Sequence, residues 1–307
     1  MVIKRLVKAL LASSLVLSMA GCAPKEEPKP EVKEEPISIL CPAGAPALGT
    51  LGALDDEMVS IEYVQGTDVL SAELAKKDSE YDVIVAPLNL GTKLYGKAQA
   101  FQLDSIVTWG NLFLVGPEDY QGASIAAFGE KAIPQMVFNY VLGDQLNGAP
   151  VTYYPSVAEA QQALLTGQAQ VALLAQPAAT ATIAKAKEQG KELKVLYDIQ
   201  KGWSEKTGSE TTGYPQAAMF VKAGNEKDLT AMKEAIQSFN ENSDEETIVK
   251  AIEKVTAEKM GLPNAQIAAK TFKAQHIALK DAKDVKDEIK AFLDLFGIEI
   301  PEDFIIE

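Results

Sequence analysis

The residue types that most often carry catalysis are scarce in this sequence. Its 307 residues include one histidine, His276, and two cysteines, Cys22 and Cys41. A zinc site needs several His, Cys or carboxylate ligands close together, and a hydrolase-type serine is expected in a Gly-x-Ser-x-Gly turn, which is absent. We therefore expect no metal, no cofactor and no catalytic triad. Cys41 is predicted to be a small apolar residue at the end of a strand, and His276 to lie on a helix surface or in a short loop.

Amide, aromatic and glycine residues in loops that follow predicted strands are better candidates, and the chemistry they suit is binding. In open α/β sheets, ligands lie beyond the carboxyl ends of the strands, and helices that begin there direct free backbone N–H groups at the ligand. The residues placed at a ligand site by this rule, or at the chain passages beside it, are Ala43, Gly44, Ala45, Leu88, Asn89, Trp109, Asn111, Phe128, Gly129, Gln176 and Tyr214. The alternative for Gly44 is a plain turn residue, and the alternative for Phe128 is a core aromatic.

Short apolar runs alternating with helical segments predict the strands behind these loops. Strands are predicted at 37–41, 59–64 and 82–86, and again at 123–127, 151–154 and 170–175, with 59–64 alternating between apolar and polar residues. Unbroken apolar strands are typical of sheets covered on both faces, as parallel sheets are. Ser156, with Glu159 three residues later, forms a capping box that begins one of the helices. The repeated order predicts an α/β fold of two lobes, each a mostly parallel sheet flanked by helices, with a ligand cleft between them.

Two extended passages predict how the lobes are joined. One covers 101–115 and is interrupted by Trp109-Gly110-Asn111, and the other covers 214–221, after a polar loop predicted at 201–213. We expect lobe 1 to comprise 37–109 plus 217–307, lobe 2 to comprise 110–216, and a hinge to lie at 109–111 and 214–216. Helices predicted at 225–242, 244–260 and 281–296 complete lobe 1. Trp203, in the polar loop, is expected to be a lid or surface residue.

The first 36 residues predict export. Lys4, Arg5 and Lys8 precede a short apolar run that ends in Ala20-Gly21-Cys22, and this order is typical of a secretory signal peptide over 1–21. The stretch resembles a bacterial lipobox, which implies a lipid on Cys22; the alternative is an ordinary signal peptide that happens to contain a cysteine. Residues 22–36, APKEEPKPEVKEEP after the cysteine, have too few apolar side chains to fold and predict an extended tether.

Several stretches of the remaining chain resemble one protein family. PAGAPALGTLGAL after the first strand, DVIVAPLNLGTKLY, TWGNLFLVG and YPQAAMFV are similar to bacterial ABC-transporter substrate-binding lipoproteins of the nitrate/sulfonate/taurine type, a branch that includes thiamine-precursor binders. The resemblance implies the type II periplasmic-binding fold and a permease and an ATPase as partners. It also implies that the protein is located on the outer side of the cell membrane. Gln176 stands where such proteins often have glutamate, so a ligand contact by that carboxylate is not carried over.

Composition limits the class of ligand that this chain can bind, and two functions other than solute binding remain as alternatives. The net charge of −14 excludes nucleic acid as a partner. The chain's only arginine is Arg5, so the bidentate fork that clamps compact anions is missing after cleavage of the leader. We therefore expect a small neutral or weakly polar solute, such as an aromatic heterocycle, stacked on aromatics and bound by amides. The alternatives are an enzyme on the same fold, of the chorismate-dehydratase or thiamine-precursor kind, and a signalling or adhesion lipoprotein.

Overall fold

The computed structural model describes residues Glu35–Glu307 of the chain. The predicted signal peptide, the lipid site at Cys22 and all but the last two residues of the predicted tether lie outside these residues. Within the described part of the chain, no helix combines the length and the apolar composition needed to cross a membrane.

Eleven strands and eleven α-helices alternate along Glu35–Glu307. The strands are β1 Ile37–Pro42, β2 Val59–Val64, β3 Val83–Pro87, β4 Phe101–Thr108, β5 Leu112–Gly116, β6 Ile125–Phe128, β7 Val151–Tyr154, β8 Val171–Ala175, β9 Lys194–Asp198, β10 Ala217–Lys222 and β11 Ile277–Asp281. The helices are α1 Ala45–Gly49, α2 Asp68–Leu74, α3 Leu88–Ala98, α4 Ile133–Leu142, α5 Val157–Thr166, α6 Ala178–Glu188, α7 Ile199–Thr207, α8 Thr230–Asn242, α9 Glu245–Val255, α10 Ala265–Lys270 and α11 Lys286–Asp294.

The strands form two sheets, and each sheet is mixed. The first sheet has the order β11-β4-β10-β3-β1-β2, and the second has the order β7-β6-β8-β5-β9. β1 pairs in parallel with β2 and β3, as β6 does with β7 and β8, whereas β4, β5, β9, β10 and β11 make antiparallel pairs. The predicted α/β class with helix-flanked sheets is confirmed. The sheets are mixed rather than mostly parallel, because β10 and β5, which begin where the chain arrives from the other sheet, pair antiparallel with β3 and β8.

Helices cover both faces of the first sheet, which explains its unbroken apolar strands. Leu40 and Ile84 point to the face covered by α2, α3 and α11, while Ile39 and Val83 point to the face covered by α1, α8, α9 and α10. Cys41 is fully buried on the second of these faces. Burial raises the pKa of its thiol, so Cys41 is a protonated core residue, as predicted for a strand end.

The predicted polar loop at 201–213 is wrong over its first half, because α7 occupies 199–207. Asp198 caps this helix by accepting hydrogen bonds from the backbone N–H groups of Gln200 (2.9 Å) and Lys201 (3.1 Å), and Gly208 ends it in the left-handed conformation. Trp203 lies on the buried face of the helix and is 1% exposed. It is therefore neither a lid nor a surface residue.

The strand β11 was not predicted, and the helices around it are shorter than expected. β11 lies at the edge of the first sheet and pairs with β4. Of the predicted helices, 225–242 begins later as α8, 244–260 ends at Val255 as α9, and 281–296 shortens to α11. His276 is the left-handed turn residue directly before β11, which agrees with the short-loop alternative and not with a helix surface.

Candidate functional site

The loops predicted to bind a ligand on the first sheet lie along one edge of it. Pro42 at the end of β1 pairs with Val64, and Ala217 at the start of β10 lies between Pro87 and Thr108, the ends of β3 and β4. Ile277 at the start of β11 also lies opposite Thr108. The loops at 43–45, 88–89, 109–111 and 214–216, together with His276, therefore share this edge.

The corresponding residues of the second sheet also share one edge. Phe128 at the end of β6 pairs with Tyr154, and Leu112 at the start of β5 pairs with Ala175 at the end of β8. Asn111 and Gln176 are the next residues beyond this last pair. The segments 109–111 and 208–216 run from one edge to the other, so the predicted site residues lie along the two edges that these segments connect.

The two connecting segments are bonded directly to each other. The Tyr214 N–H donates to the Trp109 carbonyl (3.1 Å), and the Gln216 N–H donates to the Thr108 carbonyl (2.9 Å). Gly110 and Gly213 have φ values of +89° and +96°, and a Cβ on Gly213 would lie 1.8 Å from the Trp109 oxygen. Only glycine fits at such a close approach.

Each connecting segment is also bonded to a predicted loop of one sheet. The Leu88 N–H donates to the Gln216 carbonyl (3.0 Å). The Gln176 N–H donates to the Asn111 carbonyl (2.8 Å), and Asn111 Nδ2 donates to the Gln176 carbonyl (2.9 Å). Residues that are far apart in sequence thus form a continuous hydrogen-bonded junction from Leu88 to Gln176.

Four polar side-chain atoms at this junction are buried without a hydrogen-bond partner in the described part of the chain. They are Asn89 Oδ1, Asn111 Oδ1, Gln216 Oε1 and the Tyr214 hydroxyl, which we call the junction cluster. Buried polar groups in folded proteins are nearly always paired, so atoms left unpaired at a junction of two sheets mark a place for a ligand or ordered water. The bond from Asn111 Nδ2 fixes its amide, so Asn111 offers an acceptor.

The backbone N–H groups expected to face a ligand at Ala43, Gly44 and Leu88 are already used. Ala43 donates to the Val64 carbonyl (2.9 Å), Gly44 to the Met260 carbonyl (2.8 Å) and Leu88 to Gln216. Ala45 is buried at the start of α1 and is followed by Pro46, which has no N–H. The expectation of helix-start donors is therefore wrong for Ala43, Gly44 and Leu88.

The aromatic rings expected to stack on a ligand are packed within the protein. Trp109 is 1% exposed, and its Nε1–H donates to the Ala278 carbonyl (2.9 Å). The Tyr214 ring is stacked on Phe292, with centroids 5.9 Å apart and planes at 4°, and it meets Trp203 edge-on. Burial raises the pKa of the Tyr214 phenol, so the hydroxyl stays protonated beside the Asn111 backbone. Tyr214 can offer its hydroxyl but not its ring.

On the second sheet, Gln176 is committed to structure more than expected. Its Oε1 accepts from the Thr180 N–H (3.2 Å) and so caps α6, in addition to its two bonds with Asn111. Phe128 is half-buried and packs against the hydrophobic clusters on both faces of the second sheet. This packing is the core alternative raised for Phe128, although the ring keeps some exposure. Gly129 follows with φ +71° and lies against Pro134.

The carboxylate of Asp198, at the end of β9, is already engaged in hydrogen bonds. Asp198 Oδ1 is occupied by capping α7 and by Gln200 Nε2 (3.0 Å), while Gln200 also holds both backbone groups of Leu112. In Glu35–Glu307, no three His, Cys, Asp or Glu side chains come together as metal ligands. Sequence reasoning missed Gln200 and Gln216, although Gln216 lies only two residues after Tyr214.

Comparisons with known proteins identify the fold. No protein-family model and no curated protein matches the chain. Among solved structures, it is similar to an ABC transporter from Parabacteroides distasonis, with a TM-score of 0.75 and 23% identity over 89% of this chain and 99% of that chain. It is also similar to the periplasmic aliphatic sulphonate binding protein from Escherichia coli, with a TM-score of 0.61 and 15% identity over 89% and 92% of the two chains.

A third similar structure is the ligand binding component of an ABC-type import system from Staphylococcus aureus, solved with zinc bound. Its TM-score is 0.54 at 13% identity, over 89% of this chain and 96% of that one. At these identities the likeness establishes a shared fold over nearly the whole of Glu35–Glu307, including both sheets.

Proposed function

We propose that this chain is the solute-binding component of an ABC importer, which captures a small molecule between two lobes and delivers it to a permease. The observation that carries the proposal is the junction cluster. It lies where the carboxyl-end loops of two α/β sheets meet, the place where ligands bind in folds of this class. The similar structures support the role because their own descriptions name transport and import.

The ligand inferred from the cluster is a neutral or weakly polar molecule that presents N–H or O–H groups, such as an aromatic heterocycle. Asn111 Oδ1 is a fixed acceptor, and the side chains of Asn89 and Gln216 have no hydrogen-bond partner among the described residues. None of the cluster's side chains is ionised, so a compact anion or cation would lose hydration without a matching charge. Stacking would rely on Phe128 rather than on Trp109 or Tyr214.

Capture is proposed to work by closure of the lobes about the two connecting segments. Lobe 1 is assigned 37–109 plus 217–307, and lobe 2 is assigned 110–216. A ligand that contacts both lobes only when they are closed stabilises that state. Asn89 lies at the start of α3, directly after β3 of the first sheet, and Asn111 lies on the passage to the second sheet, so the cluster spans the proposed boundary between the lobes.

The proposed location is the outer face of the cell membrane, with a lipid on Cys22 and a tether over 22–36. The permease and the ATPase of the importer are the proposed protein partners, and the nitrate/sulfonate/taurine-type branch is the proposed subfamily. A binding role is favoured over catalysis because the thiol of Cys41 is buried and protonated, and because the polar side chains at the junction are amides and a phenol.

Native mass spectrometry of the protein purified from its host tests the proposal. We expect one small molecule bound per chain, and a raised melting temperature when that molecule is added back. Asn89→Ala and Gln216→Ala should each weaken its binding, because their side chains have no other hydrogen-bond partner. Gln162→Ala, which removes an exposed amide from α5, is the matched control. A ligand whose affinity is the same in all three variants would show that the junction cluster is not the binding site.

A further inference from the structure

A second pocket lies beside the connecting segments, at the outer side of the edge strand β11. It has a volume of about 300 Å³. Trp109 of the first segment, Thr211 and Thr212 of the second, and residues before and within β11 line it together with Asn240 and Phe272. Asn89, Asn111, Tyr214 and Gln216 are not among the residues that line it, so this pocket is distinct from the junction cluster.

The charge of the pocket is opposite to that of the protein. Its lining includes Lys273, Lys280 and His276 and no carboxylate, whereas the chain as a whole carries −14. Within Glu35–Glu307, neither lysine forms a salt bridge. Lys280 Nζ lies 5.0 Å from the Trp109 ring centroid and donates to Thr211 Oγ1 (3.1 Å). A pocket lined by two lysines and no carboxylate favours an anionic occupant.

The walls of the pocket combine apolar surface with unsatisfied polar atoms. Phe272, Ile277 and Ala278 contribute the apolar part of the lining. His276 Nδ1 and Asn240 Oδ1 are buried without a partner in the described residues. Asn240 Nδ2 donates to the Gly49 carbonyl (3.3 Å), which fixes the amide and leaves its oxygen as an acceptor. The pocket thus combines two lysines that form no salt bridge within Glu35–Glu307, an imidazole with an unpaired nitrogen, and an apolar wall. This combination suits an organic molecule better than a bare ion.

We propose that this pocket binds a small organic anion, with a carboxylate or phosphate group held by Lys273 and Lys280 and an apolar body resting on the wall that Phe272, Ile277 and Ala278 contribute to. A hydroxyl or amine on the same molecule would satisfy Asn240 Oδ1. Because both connecting segments line the pocket, an anion bound there contacts the same elements about which the lobes are proposed to close.

The neighbouring groove limits the class of ligand. It is larger, about 650 Å³, shares Thr211 and Lys280 with the pocket, and carries five carboxylates at Glu210, Glu234, Asp281, Asp284 and Glu288. Glu288 Oε1 lies 3.4 Å from Thr211 Oγ1, so the hydroxyl separates this carboxylate from Lys280. An anion that extends toward Glu288 would be repelled, which restricts the site to small molecules.

The single histidine makes the site directly observable. Since His276 is the only histidine in the chain, its imidazole C–H signals in a proton NMR spectrum need no assignment by mutagenesis. We would titrate the purified protein at constant ionic strength with benzoate, phenyl phosphate, 4-hydroxybenzoate and the neutral analogue benzamide. Benzoate and phenyl phosphate should shift the His276 signals in a saturable manner, 4-hydroxybenzoate should bind more tightly than benzoate, and benzamide should leave the signals unchanged.

Variants test the role of each lysine. Lys280→Gln and Lys273→Gln should each weaken benzoate binding at least about tenfold, the effect of losing one hydrogen bond to a charged group. Lys270→Gln, an exposed lysine three residues earlier that does not line the pocket, changes the net charge equally and should have no effect. Gln216→Ala should also leave benzoate binding intact, which separates this site from the proposed solute site.

Three outcomes would overturn the proposal. The His276 signals could fail to respond to benzoate and to phenyl phosphate, benzamide could shift them as strongly as benzoate does, or Lys270→Gln could weaken binding as much as Lys280→Gln. None of these results bears on the importer role, which is tested by the bound solute and by Asn89→Ala.

Discussion

Replacing Gly213 by alanine is expected to force the two connecting segments apart. Gly213 has φ +96°, and an added Cβ would lie 1.8 Å from the Trp109 carbonyl oxygen and 3.0 Å from its carbon. That same oxygen accepts the Tyr214 N–H at 3.1 Å. The clash is with backbone rather than with a movable side-chain end, so relief requires a shift of one segment relative to the other.

The cost of this substitution has two parts. An alanine held at a positive φ costs roughly 1–2 kcal/mol, and loss of the Tyr214–Trp109 hydrogen bond costs about 1 kcal/mol. We therefore expect Gly213→Ala to lower the free energy of unfolding by about 2–4 kcal/mol once the displaced packing is included. Gly208→Ala is the matched control, because Gly208 also has a positive φ, +72°, but nothing lies within 4 Å of its Cβ position. Only the first part applies there.

Thermal unfolding of the two variants separates the clash from the backbone strain. At roughly 2–4 °C per kcal/mol for a chain of this size, Gly213→Ala should melt clearly below Gly208→Ala, which in turn should melt slightly below the unchanged protein. Solute affinity should also fall in Gly213→Ala, because the junction cluster lies on the displaced segments. Equal melting temperatures for the two variants would refute the close approach of Gly213 to Trp109.

Three further predictions concern pH, the membrane anchor and lobe closure. The hydrogen bond from the Lys233 ammonium lowers the pKa of Asp281. The ion pair therefore stabilises the fold above the ordinary Asp pKa of about 3.9, and this stabilisation is lost as the pH falls below that value and Asp281 becomes protonated. The difference in unfolding free energy between the protein and Asp281→Asn should shrink from pH 7 to pH 3, and a constant difference would contradict this. Cells fed radioactive palmitate should label the protein but not Cys22→Ser, and equal labelling would end the lipoprotein proposal. Small-angle scattering should show a smaller radius of gyration when the solute found by mass spectrometry is added, whereas an unchanged radius at saturation would argue against closure.

Local sequence signals were sufficient for most elements of the fold. The apolar runs predicted β1 and β3 because helices cover both faces of the first sheet, and the alternation of apolar and polar residues predicted the edge strand β2. Ser156 caps α5 as its capping box predicts, accepting from the Glu159 N–H at 3.2 Å. The signals for α7 were also present, with a capping Asp198 and a terminating Gly208, but its polar exposed face concealed them.

The strand β11 shows where local signals end. Its residues, Ile277–Asp281, alternate between buried and half-buried positions and are equally compatible with a short loop. Pairing with β4, more than 160 residues earlier in the chain, decides that they form an edge strand. That pairing also places His276 and Lys280 beside Trp109. The second pocket could therefore not be predicted from any short stretch of the sequence.

By itself, the sequence determined the α/β class and which loops meet, because strand ends and the helices after them are set by local periodicity and turn residues. It did not determine which side chains in those loops remain free. Trp109 and Tyr214 are hidden by Ala278, Phe292 and Trp203, partners supplied by distant segments. The free polar groups at Asn89, Asn111 and Gln216 are likewise what remains after every long-range hydrogen bond has formed. Only the tertiary structure decides which polar groups remain unpaired, since burial and hydrogen bonding depend on contacts between residues that no local pattern relates.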